Sequence, residues 1–123
     1  MYKIKTLNSI SPAGFDALDR ERYSISDSEE RPDAILVRSA DMHGMEFGSE
    51  LLCIARAGAG TNNIPINRCG ESGIIVFNTP GANAEAVKEL VLCALLLSSR
   101  DIAGGMDWVR SIADRGDEIA ALV

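Results

Sequence analysis

Two arginines carry the most chemistry in this chain, and each stands where an apolar run stops. Ala34-Ile35-Leu36-Val37 ends in Arg38-Ser39, and Leu51-Leu52-Cys53-Ile54-Ala55 ends in Arg56-Ala57-Gly58-Ala59-Gly60. A third run, Ile74-Ile75-Val76-Phe77, ends in Asn78-Thr79-Pro80-Gly81-Ala82-Asn83. A guanidinium is a planar fork of donors that matches a carboxylate or a phosphate. Glycine lets backbone N–H groups approach a ligand with no Cβ in the way, and successive amides turned inward make a nest for an anion. The chemistry indicated is recognition of a small anionic molecule bearing a carboxylate, a phosphate or both. Either arginine alone reads as a solvated or ion-paired side chain, and Gly58-Ala59-Gly60 alone as a tight turn. Three such endings on one sheet edge together make a candidate site.

Other chemistries fit less well. His43, the only histidine, precedes Gly44 with no carboxylate fixed beside it, and reads as a loop residue rather than a general base. Cys53 and Cys93 lie in apolar runs, where a thiol is inert, and Cys69, between Arg68 and Gly70, is expected to be the more exposed. With no CxxC spacing and one histidine, a zinc site is not expected. Gly58 and Gly60 do not open a dinucleotide fingerprint: position 63 is Asn63, Pro65 interrupts, and the next strand ends in Phe77-Asn78 without an acid. No GxxxxGK[ST] loop is present, and the acids of a phosphorelay receiver are not at the strand ends.

The elements that must position these residues alternate. Lys3 to Leu7 reads as an edge-like first strand, broken by Asn8-Ser9. Ser11-Pro12 reads as a helix start whose apolar side holds Phe15 and Leu18, and Tyr23 to Ile25 as a short strand. The segment 27–32, DSEERP, is a solvated connection. The continuous apolar runs are those of strands covered on both faces. Pro65 to Ser72 makes a short helix stopped by Gly73, and Asn83 caps a long helix over 84–99 whose Leu90 to Leu97 stretch should be buried on most sides. Gly104-Gly105 should weaken the helix before an amphipathic segment in which Met106, Val109 and Ile112 share a face. Trp108 and this apolar stripe read as packing surface. Strands alternating with helices give an α/β fold, a doubly wound parallel sheet in three layers.

Composition agrees. The 123 residues, 46% hydrophobic with 24% charged, are enough for one domain with a real core, and exclude disorder and collagen-like repeats. A net charge of -6 argues against nucleic acid and against an anionic membrane surface. The opening MYKIKTLNSI does not resemble a signal peptide, no apolar stretch approaches the ~20 residues that span a bilayer, and the scattered cysteines read as reduced thiols, so a cytoplasmic location is expected. The bare apolar ending Ile119-Ala120-Ala121-Leu122-Val123 suggests a piece of a longer protein.

The three runs with their endings, from Ile35 to Ala40, Ala55 to Ile64 and Gly73 to Asn83, resemble the D-2-hydroxyacid dehydrogenases, with likeness from about Asp33 to Trp108. Within that family the likeness is greatest to the branch that oxidises 3-phosphoglycerate to 3-phosphohydroxypyruvate for serine biosynthesis. A hydroxypyruvate or glyoxylate reductase, or a stand-alone anion-binding regulatory module, are the alternatives. The resemblance implies a flavodoxin-like substrate-binding domain, here residues 1–100, interrupted by an inserted nucleotide-binding domain toward which 101–123 crosses. It implies that Arg38, Ser39, Arg56 and Asn83 meet the substrate, the arginines at its phosphate. Ala57, Gly58 and Ala59 would offer amides to its carboxylate, and Ala59 would lie near the nicotinamide of NAD. Asn62 stands where many relatives have aspartate. The family's catalytic arginine, glutamate and histidine and its glycine-rich cofactor loop are expected downstream of residue 123. By that likeness the segment alone is catalytically silent, belongs to an NAD-dependent enzyme, and associates with a second copy as a dimer or higher oligomer.

Overall fold

The computed structural model describes residues 1–122; Val123, the last residue of the expected crossover segment, lies outside them. The chain divides into two compact units, Met1–Ala82 and Asn83–Val123.

The first unit is a five-stranded sheet, with every neighbouring pair parallel. Its strands are β1 (Tyr2–Leu7), β2 (Tyr23–Ser26), β3 (Ala34–Val37), β4 (Cys53–Arg56) and β5 (Ile75–Phe77), in the spatial order β2-β1-β3-β4-β5. This is the strand order of a flavodoxin-like doubly wound sheet. The α/β reading is therefore correct, but the first strand is not an edge. β2 pairs along its outer side, with Ile4 opposite Ile25, and β3 along the other, with Ile4 opposite Ala34.

Alternation along each strand builds two faces. On one, Ile35 is level with Ile54 and Val76, and Val37 with Arg56. The helix α1 (Ile66–Glu71) covers this face, and its Cys69 joins Ile35, Val37, Met42, Leu51, Ile54, Ile64 and Ile74 in one buried cluster. Gly73 stops α1 in the left-handed region at φ 72°. On the other face Leu36 is level with Ala55 and Phe77, and Ile75 and Phe77 stand exposed.

The helix expected from Ser11-Pro12 is a single 3₁₀ turn, Pro12–Gly14, with no capping bond from Ser11. Gly14 costs helix stability. The Asp19 side chain accepts from Glu21 N at 2.9 Å while its carbonyl takes Arg22 N and Tyr23 N, so the backbone folds into turns instead.

The second unit holds α2 (Ala84–Arg100), α3 (Ile102–Ser111) and the short α4 (Ile119–Leu122). Asn83 occupies the N-cap position of α2, yet its side chain makes no capping bond. The expected burial of Leu90 to Leu97 does not occur: Leu90 is 69% exposed and Leu96 63%, because α2 is an apolar rod that no other described element of its unit encloses. Met106 and Val109 on α3 are exposed, while Ile112, just past its end, is buried. The break between α2 and α3 falls not at Gly104-Gly105 but at Asp101, whose φ is 45°. The Asp101 carboxylate accepts from Gly104 N at 3.2 Å, capping α3. A Cβ on Gly104 would collide with that carboxylate, so Gly104 serves the start of α3 rather than weakening it.

Candidate functional site

Because β3, β4 and β5 are parallel neighbours, the turns that follow them emerge side by side on the carboxyl edge of the sheet. The ladder runs one residue past β4, with Ala57 N donating to Val37 O at 2.8 Å. That commits the Ala57 amide to the sheet and leaves Gly58 and Ala59 as the amides open to a ligand.

The turn after β5 fixes the turn after β4. Thr79 N donates to Gly58 O at 3.0 Å, Asn78 Nδ2 to Ala59 O at 2.7 Å, and Thr79 Oγ1 to Arg56 O at 3.4 Å. The carbonyls of Arg56, Gly58 and Ala59 are thereby satisfied, whereas the N–H groups of Gly58, Ala59 and Gly60 find no protein acceptor among the described residues.

Arg56 crosses back over the turn after β3, donating from Nε to Arg38 O at 2.9 Å. Its terminal nitrogens stay free of carboxylates: among the described residues the ion pairs are Lys3–Glu29, Arg31–Glu50, Lys88–Glu85 and Arg110–Asp107. Gly60 is what makes room for this arrangement. A Cβ there would stand 2.8 Å from Arg56 Nη1. Arg38 and Ser39 are exposed beside it, and Arg38 forms no ion pair among the described residues. Under the edge lies a hollow of about 220 Å³ with an apolar lining that includes Ile10, Phe15, Leu36, Ala55 and Ala57.

The structure thus brings Arg38, Ser39, Arg56, Ala57, Gly58 and Ala59 to one edge, with two forked cations and a run of open amides able to grip an anion. Asn83 belongs to the second unit. Two contributors go beyond what their sequence context indicates. Gly60, by its type part of an amide nest, also leaves the space that the Arg56 guanidinium occupies. Asn8, by its place a strand breaker, also holds the next turn: its Oδ1 accepts from Ser39 N at 3.0 Å and from Ala40 N at 2.7 Å. An asparagine directly after a strand is the signal that could have found it, since asparagine tolerates the left-handed backbone that such a turn uses.

The long connection from β3 to β4 is tied down by the residues after β4. Asn63 accepts from Met42 N and donates to Ala40 O, and Arg68 Nη2 donates to Met45 O at 2.6 Å while its guanidinium lies 4.8 Å over the Phe47 ring. His43 is exposed, its Nε2 3.0 Å from Asn62 O, which fits a loop residue. No group of three metal-ligating side chains occurs among the described residues. The cysteine exposures are reversed: Cys69 is fully buried, because its face of α1 turns into the core, and Cys93 is exposed on α2. Burial pushes the Cys53 and Cys69 thiols up, away from the reactive thiolate.

The residues present do not fit a dinucleotide. After Gly58-Ala59-Gly60 the next helix in the chain starts only at Ile66, so this turn does not itself open a helix whose N-terminus could hold a pyrophosphate, and Ala59 offers only its backbone. No helix among the described residues is long and apolar enough to cross a membrane.

The sequence is similar to those of known proteins. Residues 9–114 match the family model for the D-isomer specific 2-hydroxyacid dehydrogenase catalytic domain. The chain is 45% identical over 74 residues to a hydroxypyruvate reductase of Thermotoga maritima, covering 58% of this chain and 24% of that protein. It is 31% identical over 115 residues to a D-3-phosphoglycerate dehydrogenase of Synechocystis sp., covering 83% of this chain and 21% of that one. With an erythronate-4-phosphate dehydrogenase of Idiomarina loihiensis it shares 45% identity over 67 residues, 52% of this chain and 18% of that protein. The chain therefore spans about a quarter or less of the length of these relatives. With the greater part of its length matched by the family model, the chain belongs to the D-isomer specific 2-hydroxyacid dehydrogenases.

Proposed function

We propose that this chain is the substrate-gripping part of an NAD-dependent D-3-phosphoglycerate dehydrogenase, and that its carboxyl edge binds the phosphate and carboxylate of 3-phosphoglycerate. The observation that carries this reading is the Arg56 guanidinium, seated over Gly60 by its bond to Arg38 O, without an ion pair among the described residues, and beside the open amides of Gly58 and Ala59. Arg38 and Arg56 take the phosphate, and Ser39 and those amides take the carboxylate end. NAD is held by residues other than these, with Ala59 bordering its nicotinamide, so hydride transfer needs parts this segment does not supply. A cytoplasmic location follows from the same reading.

A second reading, a hydroxypyruvate reductase, is favoured by the 45% identity to the Thermotoga maritima protein. Titration of the chain with 3-phosphoglycerate and with D-glycerate, followed by amide resonances, separates the two. Phosphate recognition predicts at least tenfold tighter binding of 3-phosphoglycerate, with shifts at residues 38–39 and 57–60; equal binding of both favours the reductase.

The exposed Leu90, Leu95 and Leu96 of α2 and Met106, Trp108 and Val109 of α3 support self-association, since apolar surface on this scale is rarely left bare. Sedimentation is expected to show a mass that rises with concentration. A monomer at every concentration would refute the homo-oligomer.

A further inference from the structure

The strand order reverses between β1 and β3: from β1 the chain moves outward to β2, then returns to the other side as β3. At such a point the turns leaving the two strands part, and a crevice opens between them. Here a side chain bridges it. Asn8, the first residue after β1, has φ 70°, a left-handed conformation that few residues besides glycine and asparagine adopt at small cost. Its Oδ1 accepts both Ser39 N at 3.0 Å and Ala40 N at 2.7 Å. One oxygen holding two successive amides is the grip an anion would have on that turn. Asn8 thus supplies internally the acceptor that the turn after β3 would otherwise seek from solvent or ligand.

The same turn carries two determinants of the edge. Arg38 directly precedes the two clamped amides, and the Arg38 carbonyl is the seat of Arg56 Nε. We infer that Asn8 is a positioning residue for substrate binding: it touches no ligand, but by holding Ser39 N and Ala40 N it fixes where the Arg38 side chain projects and where the Arg38 carbonyl holds Arg56. The inference rests on the anion-binding reading of this edge.

Asn8→Gly tests it, because glycine keeps the positive φ and removes only the acceptor. The probe is 3-phosphoglycerate titrated into the 123-residue chain, alone and in an R38A background. The expected result is about fivefold weaker binding for N8G, falling to about twofold in R38A, the remainder passing through the Arg38 carbonyl to Arg56. Faster hydrogen exchange at the amides of Ser39 and Ala40 should accompany it. A merely structural asparagine would instead give the same loss in both backgrounds. That result, or unchanged binding by N8G while R38A weakens it, overturns the inference and leaves the anion-binding reading standing. If R38A itself leaves binding unchanged, the reading of the Arg38 turn falls and takes the inference with it. Should N8G fail to fold, Asn8→Asp, which tolerates the same left-handed backbone and keeps an oxygen for both amides, is expected to hold their exchange slow and binding within about threefold of the parent in both backgrounds; binding lost while those amides stay protected overturns the inference.

Discussion

Arg56→Ala is expected to weaken 3-phosphoglycerate binding about 100-fold, and to lower kcat/KM of the whole enzyme to a similar degree, while the sheet stays folded. Hydrogen bonds to charged groups are each worth about 1.5–3 kcal/mol, and a forked guanidinium supplies two, so a loss of about 2.7 kcal/mol is a conservative sum after solvent competition. The fold survives because the side chain's one protein bond, Nε to Arg38 O, is worth about 1 kcal/mol on a part-exposed residue. Gly60→Ala serves as the companion in the same experiment. It leaves the charge in place but sets a Cβ 2.8 Å from Nη1, and the tip of a flexible side chain moves aside at little cost to stability. Binding should then fall about tenfold with the melting midpoint nearly unchanged. If Arg56→Ala leaves affinity within twofold of the parent, this guanidinium does not grip the substrate, and the edge loses its main claim to be the phosphate site.

How much of this was legible beforehand depends on the range of the interactions concerned. The runs at Ile35, Ile54 and Val76 announce parallel strands because apolar character is a local property, but the expected cover on both faces is not: one face carries the buried cluster, while on the other Ile75 and Phe77 stand exposed. Strand ends follow from the same local signal, so Arg38 and Arg56 could be placed on one edge from spacing alone. What spacing does not encode is a pairing partner. β1 looks like an edge by its lysines, and only the position of β2, some 15 residues further on, makes it interior. Asn8 and Gly60 matter through contacts with Ser39 and Arg56, one across 31 residues and one across a turn, and neither contact leaves a periodic trace. The α2 stretch fails for the opposite reason. Its composition correctly reports an apolar helix, but burial is a property of what covers it, and within its unit no described element encloses Leu90 or Leu96. Cys69 shows the same limit at one residue: flanked by Arg68 and Gly70 it looks accessible, yet helical phase turns it into the core.

Ile54→Ala is expected to carry the largest cost to stability, about 3–4 kcal/mol. Ile54 is fully buried, lies at the middle of β4 between Ile35 and Val76, and shares its cluster with Ile64 and with Cys69 of α1. Isoleucine to alanine in such a place loses the transfer energy of three carbons and leaves a cavity that a hydrogen-bonded strand, paired on both sides, cannot collapse to fill; such changes cost about 2–5 kcal/mol. Against a total of roughly 5–15 kcal/mol for a domain, that is a large fraction. Leu52→Ala, two positions earlier and 56% exposed, should cost less than about 1 kcal/mol and is the control. The probe must report on the sheet. Trp108, the only tryptophan, lies in the second unit, whereas both tyrosines, Tyr2 and Tyr23, stack at 6.0 Å on β1 and β2. Urea unfolding followed in the tyrosine near-ultraviolet band should therefore move to a lower midpoint with an unchanged slope for Ile54→Ala. Because Arg56 follows Ile54 on the same strand and face, urea near that new midpoint should abolish 3-phosphoglycerate binding in step with the tyrosine signal. Binding that outlives the tyrosine transition would mean that the anion grip survives the loss of β1 and β2, and so does not depend on the sheet folding as one unit.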